Sequence, residues 1–286
     1  MITLGVTTRA ETFSRMQDPL RDYGIDTAYL QADETTHSLT AHPEDYAAYD
    51  VGFVYPSRPM EGGVIDAFTS LNWVNGRDAI LTSRNKAGVL ATLTDHGIPV
   101  PETIAVSNPV DRNTLETVFD SFSPPVVIKP NSATRGIGIA KATDIDSFLG
   151  ITDYLDAIHS FPATDDRMFL VQEALTITTD YRVMLVDQTY VGAVERSLPP
   201  DSPTRWKHNV HHGSTATGVD LDAEYRELAE EVATILDIDY LGVDLAVTPT
   251  DTYVMETNAR PTIDTETKYE SDFYEQLASL IKSRDK

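Results

Sequence analysis

Residues 240–264 read YLGVDLAVTPTDTYVMETNARPTID, and the rest of the chain is organised around them. Two apolar runs, 241–247 and 253–257, flank the segment Thr248-Pro249-Thr250-Asp251-Thr252. Proline and aspartate between β-branched and aromatic runs mark a hairpin. A turn centred on Thr250 sets Val247 against Tyr253, Leu245 against Met255 and Asp244 against Glu256. Strand side chains alternate, so Glu256 and Asn258 share a face with Asp244. Hard cations such as Mg²⁺ take a few carboxylates and leave other positions to water and substrate phosphates. The pattern is that of a metal–nucleotide site. The competing reading makes Asp244 and Glu256 ordinary surface acids; against it, both lie inside apolar runs, where an unpaired carboxylate is costly to bury.

The composition narrows the partners. With 45 acidic against 22 basic residues in 286, seven of them lysine, and a net charge of −23, the surface is acidic and lysine-poor. Such a surface suits a halophile's cytoplasm, where molar salt screens repulsion over about 3 Å. Nucleic acid and anionic membrane are not expected partners, since no basic stripe is present. The lack of cysteine excludes disulfides and thiolate metal sites. No apolar run approaches the ~20 residues of a membrane span and no signal peptide opens the chain, so a soluble, cytoplasmic protein is expected.

Read in order, residues 2–6, 27–30, 51–55 and 73–74 form strands. Phe13, Met16, Leu20 and Tyr23 recur at helical spacing, with Pro19 kinking or restarting that helix, and residues 62–71 form a second helix. Alternating strands and helices predict a small parallel α/β lobe without a glycine-rich phosphate loop after its first strand. Ser83-Arg84-Asn85-Lys86 then opens a helix through Leu90 and Leu93, closed by Gly97 and followed by Ile98-Pro99-Val100-Pro101. By position alone Lys86 is a solvated first-turn residue.

Strand 103–106, helix 114–122 and strand 126–129 lead into Pro130-Asn131-Ser132-Ala133-Thr134-Arg135-Gly136-Ile137-Gly138-Ile139. A lysine ending a buried strand before a small-residue loop is placed to meet a phosphate under the loop's N–H groups; the alternative is an ordinary hairpin. Helix 144–155 and strand 169–173 follow, and strands 181–186 and 189–196 pair across Asp187-Gln188. The long loop 197–218 carries Arg205, Trp206, Lys207, His208, Asn209, His211 and His212. With Arg182, Arg196 and Arg260 these gather positive charge for anionic reactants in an acidic chain. The histidines could instead hold zinc, but no fourth ligand is evident. Helix 222–236 buries Tyr225, Leu228, Val232 and Ile235 and delivers the chain into the opening hairpin.

Several motifs in this order, SRNK with GIPVP, VVIKP with GIGI, VQE at 171–173 and E-x-N-x-x-P at 256–261, resemble RimK-type ATP-grasp ligases across residues 82–264. The resemblance implies an α/β chain with an ATP-grasp fold, two α+β lobes clasping ATP, behind an N-terminal Rossmann-like lobe. Its divisions are 1–82, 83–173 (lid) and 174–286 (catalytic lobe). It implies that Lys86 and Lys129 approach the nucleotide phosphates under Gly136 and Gly138. Glu173 and Asp180 contact the nucleoside, and Lys207 with Asn209 holds phosphate oxygens and helps position metal. Asp244, Glu256 and Asn258 hold Mg²⁺, with Mn²⁺ as the alternative ion. Arg196 and Arg260 join Lys207 and Asn209 as catalytic candidates. Two departures stand out: Ala133 replaces a common lid glycine, leaving Arg135 to supply a phosphate contact, and Lys207 replaces an arginine's bidentate fork with a point charge. The implied activity is ATP-dependent carboxylate–amine ligation through an acyl phosphate, of the glutamate- or amino-acid-adding kind. The partners are an acid and an amine, the latter an amino acid, peptide or protein terminus, with self-association into a homo-oligomer left open. A glutathione-synthase-like, D-Ala–D-Ala-like or carrier-protein-directed ligase, or a non-catalytic nucleotide-binding regulator, would share most of these motifs.

Overall fold

The computed structural model describes residues 1–8, 11–40, 46, 48–134, 136–158, 166–198 and 215–285. Its strands form three sheets. The first is parallel throughout, in the order β2-β1-β3-β4, from β1 (Ile2–Val6), β2 (Ile25–Tyr29), β3 (Val51–Phe53) and β4 (Asn72–Trp73). Helices α1 (Glu11–Arg21) and α2 (Pro59–Phe68) make crossovers, as parallel strands require. Pro19 lies inside α1, which continues through it.

The second sheet, β5-β8-β6-β7, is antiparallel and comprises β5 (Thr103–Ser107), β6 (Val126–Pro130), β7 (Ala140–Ala142) and β8 (Met168–Glu173). Helices α5 (Arg112–Asp120) and α6 (Ile145–Ile158) cover it. The third sheet, β11-β10-β9-β12-β13, is antiparallel too, from β9 (Thr179–Val186), β10 (Thr189–Ser197), β11 (Thr215–Val219), β12 (Tyr240–Val247) and β13 (Thr252–Asn258). Helix α7 (Ala223–Leu236) packs on one of its faces and α8 (Phe273–Arg284) on the other.

The structure departs from the sequence reading in four places. Ser83 and Arg84 end a helix, α3 (Arg77–Arg84), rather than opening one. Asn85 is the true N-cap of α4 (Lys86–Asp95), its side chain accepting from Gly88 N at 3.1 Å. The hairpin turn spans Thr248 to Asp251, closed by Thr248 N donating to Asp251 O at 2.8 Å. Val247 therefore pairs with Thr252 and Leu245 with Val254. A bulge at Met255 absorbs the extra residue and returns Asp244 to its place opposite Glu256. Finally, part of the loop read over 197–218 is β11, an edge strand of small residues and threonine without an apolar run.

The apolar cores divide unevenly. One joins Leu4, Val6 and Met16 to Met184, Tyr240, Phe273 and Leu277, and a second joins Tyr55 and Ile80 to Val89, Val183, Leu241 and Val254. Both run between the parallel lobe and the five-stranded sheet. The third, around Phe119, Ile128, Phe148, Phe169 and Val171, belongs to the second sheet and its helices alone. Among the described residues no helix is long and apolar enough to cross a membrane.

Candidate active site

The site begins with the register of three neighbouring strands. Asp244 of β12 lies opposite Arg182 of β9 on one side and Glu256 of β13 on the other, while Gly242 lies opposite Asn258. Pleating puts these side chains on one face. Asp244 is almost fully buried, so its charge must be matched locally. Arg182 does this bidentately, with Nη2 donating to Oδ2 at 2.7 Å, and Arg196 adds an Nη1–Oδ2 bond at 3.0 Å. Burial alone would raise the Asp244 carboxyl, but the two guanidinium groups overcome it and hold the group at about 2. Arg196, itself buried, also donates Nε to Asp180 at 2.6 Å. Burial pushes Asp180 up to about 7, with Arg196 opposing the shift.

Glu256 has a different environment. Its side chain is part-exposed, and Lys86 Nζ lies 3.8 Å from Oε2. Asn258 Oδ1 accepts from Arg260 N at 2.9 Å. Behind this strand end, Asn75 brackets the backbone, donating Nδ2 to Tyr240 O at 2.6 Å and Ala259 O at 2.7 Å. Ser83 Oγ accepts from Ala259 N at 3.0 Å.

The lysines come from the other side. Lys86, the first residue of α4, is buried and donates Nζ to Ala133 O at 2.6 Å. Lys129, near the end of β6, is buried with Gln172 Oε1 as its acceptor at 3.0 Å. An amide offsets little charge, so burial lowers the Lys129 ammonium to about 8, with Glu256 opposing that shift. Asn131, two residues on, accepts from Ala87 N at 2.8 Å and donates to Asn85 Oδ1 at 3.0 Å, which ties the two lysine-bearing segments together. The lid turn follows: Gly136 and Gly138 have φ of 69° and 77°, and a Cβ on Gly138 would meet Pro130 Cγ at 2.7 Å.

The remaining expected residues are dispersed. Glu173, at the end of β8, uses Oε1 to accept from Glu102 N at 2.8 Å. Arg260 points toward the parallel lobe, donating Nη1 to Thr7 Oγ1 at 3.2 Å and to Tyr55 O. Arg135, Lys207 and Asn209, with the neighbouring Arg205, Trp206, His208, His211 and His212, lie outside the described residues. The sequence reading left out the Lys129–Gln172 bond and the Asn131, Asn75 and Ser83 brackets. Their only signal was a polar residue beside an apolar run, and Asn75-Gly76 reads equally as a turn.

Among the described residues no three Asp, Glu or His side chains form a ready-made metal cluster. The candidate set is two carboxylates and one amide oxygen, all hard donors. A carboxylate accepts about four hydrogen bonds, so Asp244, with three N–H donors, keeps one lone pair, while Glu256 remains largely uncommitted. That set fits Mg²⁺ completed by phosphate oxygens.

Comparison with known proteins bears on the fold and the family. A probable alpha-L-glutamate ligase of Stenotrophomonas maltophilia is 28% identical over 192 residues, which is 66% of this chain and 62% of that protein. The chain thus matches about three-fifths of that relative's length. D-alanine–D-alanine ligase from Bacillus anthracis complexed with ATP superposes with a TM-score of 0.72 at 16% identity, covering 100% of this chain and 97% of that one. The ATP-grasp ligase PsnB, complexed with a phosphomimetic variant of its minimal precursor, Mg and ADP, does so at 0.72 and 14%, covering 99% and 98%. At such identities the likeness shows the fold, which is ATP-grasp. A family model described as the RimK-like ATP-grasp domain matches residues 83–281. That span holds both buried lysines, the second and third sheets and the Asp244–Glu256 register, and the chain belongs to the RimK-like ATP-grasp family.

Proposed function

We propose that the protein is an ATP-dependent carboxylate–amine ligase of the glutamate- or amino-acid-adding kind, joining a carboxylate substrate to an amine. One observation carries this reading: Lys86 Nζ stands 3.8 Å from Glu256 Oε2, where the lid loop meets the hairpin acids. Cations for phosphates and oxygens for a divalent ion therefore face each other. The proposed organisation is a 1–82 lobe, an 83–173 lid and a 174–286 catalytic lobe, and each sheet's strands fall within one of these.

ATP is a substrate in this scheme, and Mg²⁺ would be held by Glu256, Asn258 and the remaining lone pair of Asp244. When bound, the ion supplies neutralisation of phosphate charge. The chain's own residues do the positioning. Lys129 and Lys86 exchange their bonds to Gln172 and Ala133 O for phosphate oxygens. Gly136 and Gly138 let the lid loop lie close over them. Arg182 and Arg196 hold Asp244 charged. The acid's carboxylate oxygen bonds to the γ-phosphorus as the bond to ADP breaks. The amine then bonds to the acyl carbon, phosphate leaves, and the nitrogen loses a proton. Catalysis of this kind is mainly orientation and electrostatic stabilisation. The amine is an amino acid, peptide or protein terminus, and the setting is the cytoplasm.

Glu256→Gln tests the reading by removing one charge and keeping the shape. The variant should fold as wild type by circular dichroism yet lose Mg²⁺-dependent ADP release, and with it the hydroxamate formed from acid, ATP and hydroxylamine. Undiminished ADP release would remove Glu256 from the site. ATP binding without hydroxamate across a panel of acids would favour a nucleotide-binding regulator.

A further inference from the structure

Lys129 is held by a neutral side chain, and that side chain is itself held. Gln172 of β8 lies opposite Thr103 of β5 on one side and Val127 of β6 on the other. Directly opposed residues of antiparallel strands share a face, and Lys129, two residues beyond Val127, shares it too. The row Thr103–Gln172–Lys129 therefore crosses three strands on the face turned away from the apolar core of Val126, Ile128 and Val171. Gln172 and Lys129 are both buried. A buried polar row is stable only where donors meet acceptors.

The donors here run in one direction. Thr103 Oγ1 donates its single hydrogen to Pro101 O at 2.8 Å. It can then only accept from Gln172, whose Nε2 stands 2.7 Å away. That fixes the amide: Nε2 faces Thr103, and Oε1 faces Lys129 Nζ at 3.0 Å. The reversed amide would set an NH₂ group against an ammonium, and a carbonyl against a hydroxyl with no hydrogen left to give.

The anchor of the row is stiff. Pro101 belongs to Ile98-Pro99-Val100-Pro101, in the crossover from α4 to β5, where two proline rings fix φ. Pro99 O accepts from Val254 N of β13 at 2.9 Å, and Glu102 O accepts from Glu173 N at 3.0 Å. The crossover is thus pinned on both sides of Pro101, to the five-stranded sheet at residue 99 and to the second sheet at residue 102.

A neutral acceptor has a consequence for the lysine. Glu256, two residues after Val254, is the acid with the strongest influence on Lys129. An ammonium without an acceptor of its own would turn to that carboxylate, and ATP would then have to break a charged pair. The bond to an amide is weaker than a bond to a charged group, so phosphate displaces it readily. It keeps the cation aimed and leaves Glu256 to the divalent ion.

We propose that Thr103 and Gln172 are positioning residues that hold the Lys129 ammonium apart from Glu256 and aimed at the nucleotide phosphates, with the Pro99–Pro101 crossover as their anchor. Both act through Lys129, whose flexible stem is ordered before ATP arrives. The proposal rests on the reading of Lys129 as a phosphate-binding residue.

Calorimetric titration of ATP with Mg²⁺ into the full chain tests it. Thr103→Val keeps the shape, removes the hydroxyl and frees the amide to turn. It should weaken ATP by about two- to tenfold, the range for one neutral hydrogen bond. Thr103→Ser keeps the hydroxyl and should bind ATP as wild type does. Gln172→Glu should weaken ATP by about ten- to a hundredfold, because a carboxylate then pairs with Lys129 and faces the phosphates. In a Lys129→Met background, Thr103→Val should cause no further loss. A threonine with a merely structural role would give the same loss in both backgrounds. That result, equal weakening by Thr103→Ser and Thr103→Val, or undiminished affinity in Gln172→Glu would overturn the proposal. Should Thr103→Val fail to fold by circular dichroism, Gln172→Met combined with Lys129→Met gives the same cycle. ATP affinity that follows the cycle, without acid-dependent ADP release by wild type, would support the positioning role and overturn the ligase reading.

Discussion

The lid and the five-stranded sheet face each other across the site but are fastened to the molecule in opposite ways. The lid core, around Phe119, Phe148 and Phe169, takes no residue from elsewhere. The five-stranded sheet shares two cores with the parallel lobe, through Tyr240 against Phe53 and through Val183 and Leu241 with Tyr55. Polar bonds tie this second sheet to α4: Lys86 to Ala133 O, and Asn131 to Asn85 and Ala87. Buried apolar contacts cannot be exchanged for water cheaply, whereas hydrogen bonds can. The second sheet with α5 and α6 is thus packed as a body of its own, whereas Val89 and Leu93 of α4 are packed into the platform made by the other two sheets. The buried charges follow the same division. On the platform, Asp244 is held ionised by two arginines; in the lid, Lys129 has an amide as partner and is pulled toward neutrality.

The largest effect that would break this comparison lies on the platform. Asp244→Ala leaves Arg182 and Arg196 without their shared carboxylate, and breaking a buried pair costs about 3–5 kcal/mol. Denaturant unfolding should show that loss in the transition of the platform. A cost below about 1 kcal/mol would mean that water already satisfies the arginines. Next is the lid core, where Leu149 of α6 is buried beside Phe148: Leu149→Ala should cost about 2–3 kcal/mol. Hydrogen exchange should rise in β5 to β8 and stay unchanged in β9 to β13; uniform acceleration across both sheets would mean that they unfold as one.

The smallest effect per pH unit is a pH dependence in the lid. Lys129 titrates at about 8 in the folded chain against an ordinary 10.5. Between these values the unfolded chain binds more protons, so the Lys129 contribution makes stability rise with pH, by at most about 1.4 kcal/mol per unit. Lys129→Met should remove that rise. ATP affinity should move the other way and fall as pH passes through 8, because phosphate favours the charged ammonium. A wild-type stability curve identical to that of Lys129→Met from pH 8 to 10 would show that Lys129 keeps its charge throughout.

Much of this protein is legible in its sequence because periodicity reports locally on burial. The hairpin, the Asp244–Glu256 pairing, the strand that delivers Lys129 and the helix closed by Gly97 all follow from residue order alone. Even the bulge at Met255 shifted the register on its turn side only. Motif order likewise pointed to the family that the match over 83–281 shows.

Tertiary structure decided which partner each charge received. A sequence shows that Asp244 sits in an apolar run, but not that Arg182 lies beside it on β9 and Arg196 reaches it from β10. Nor does it show that Arg260, two residues after Asn258, turns to the lobe that begins the chain, or that Asn75 brackets a strand 165 residues away. Periodicity depends on neighbours a few residues apart, whereas charge pairing depends on strand order and lobe packing, which bring distant segments within hydrogen-bond range.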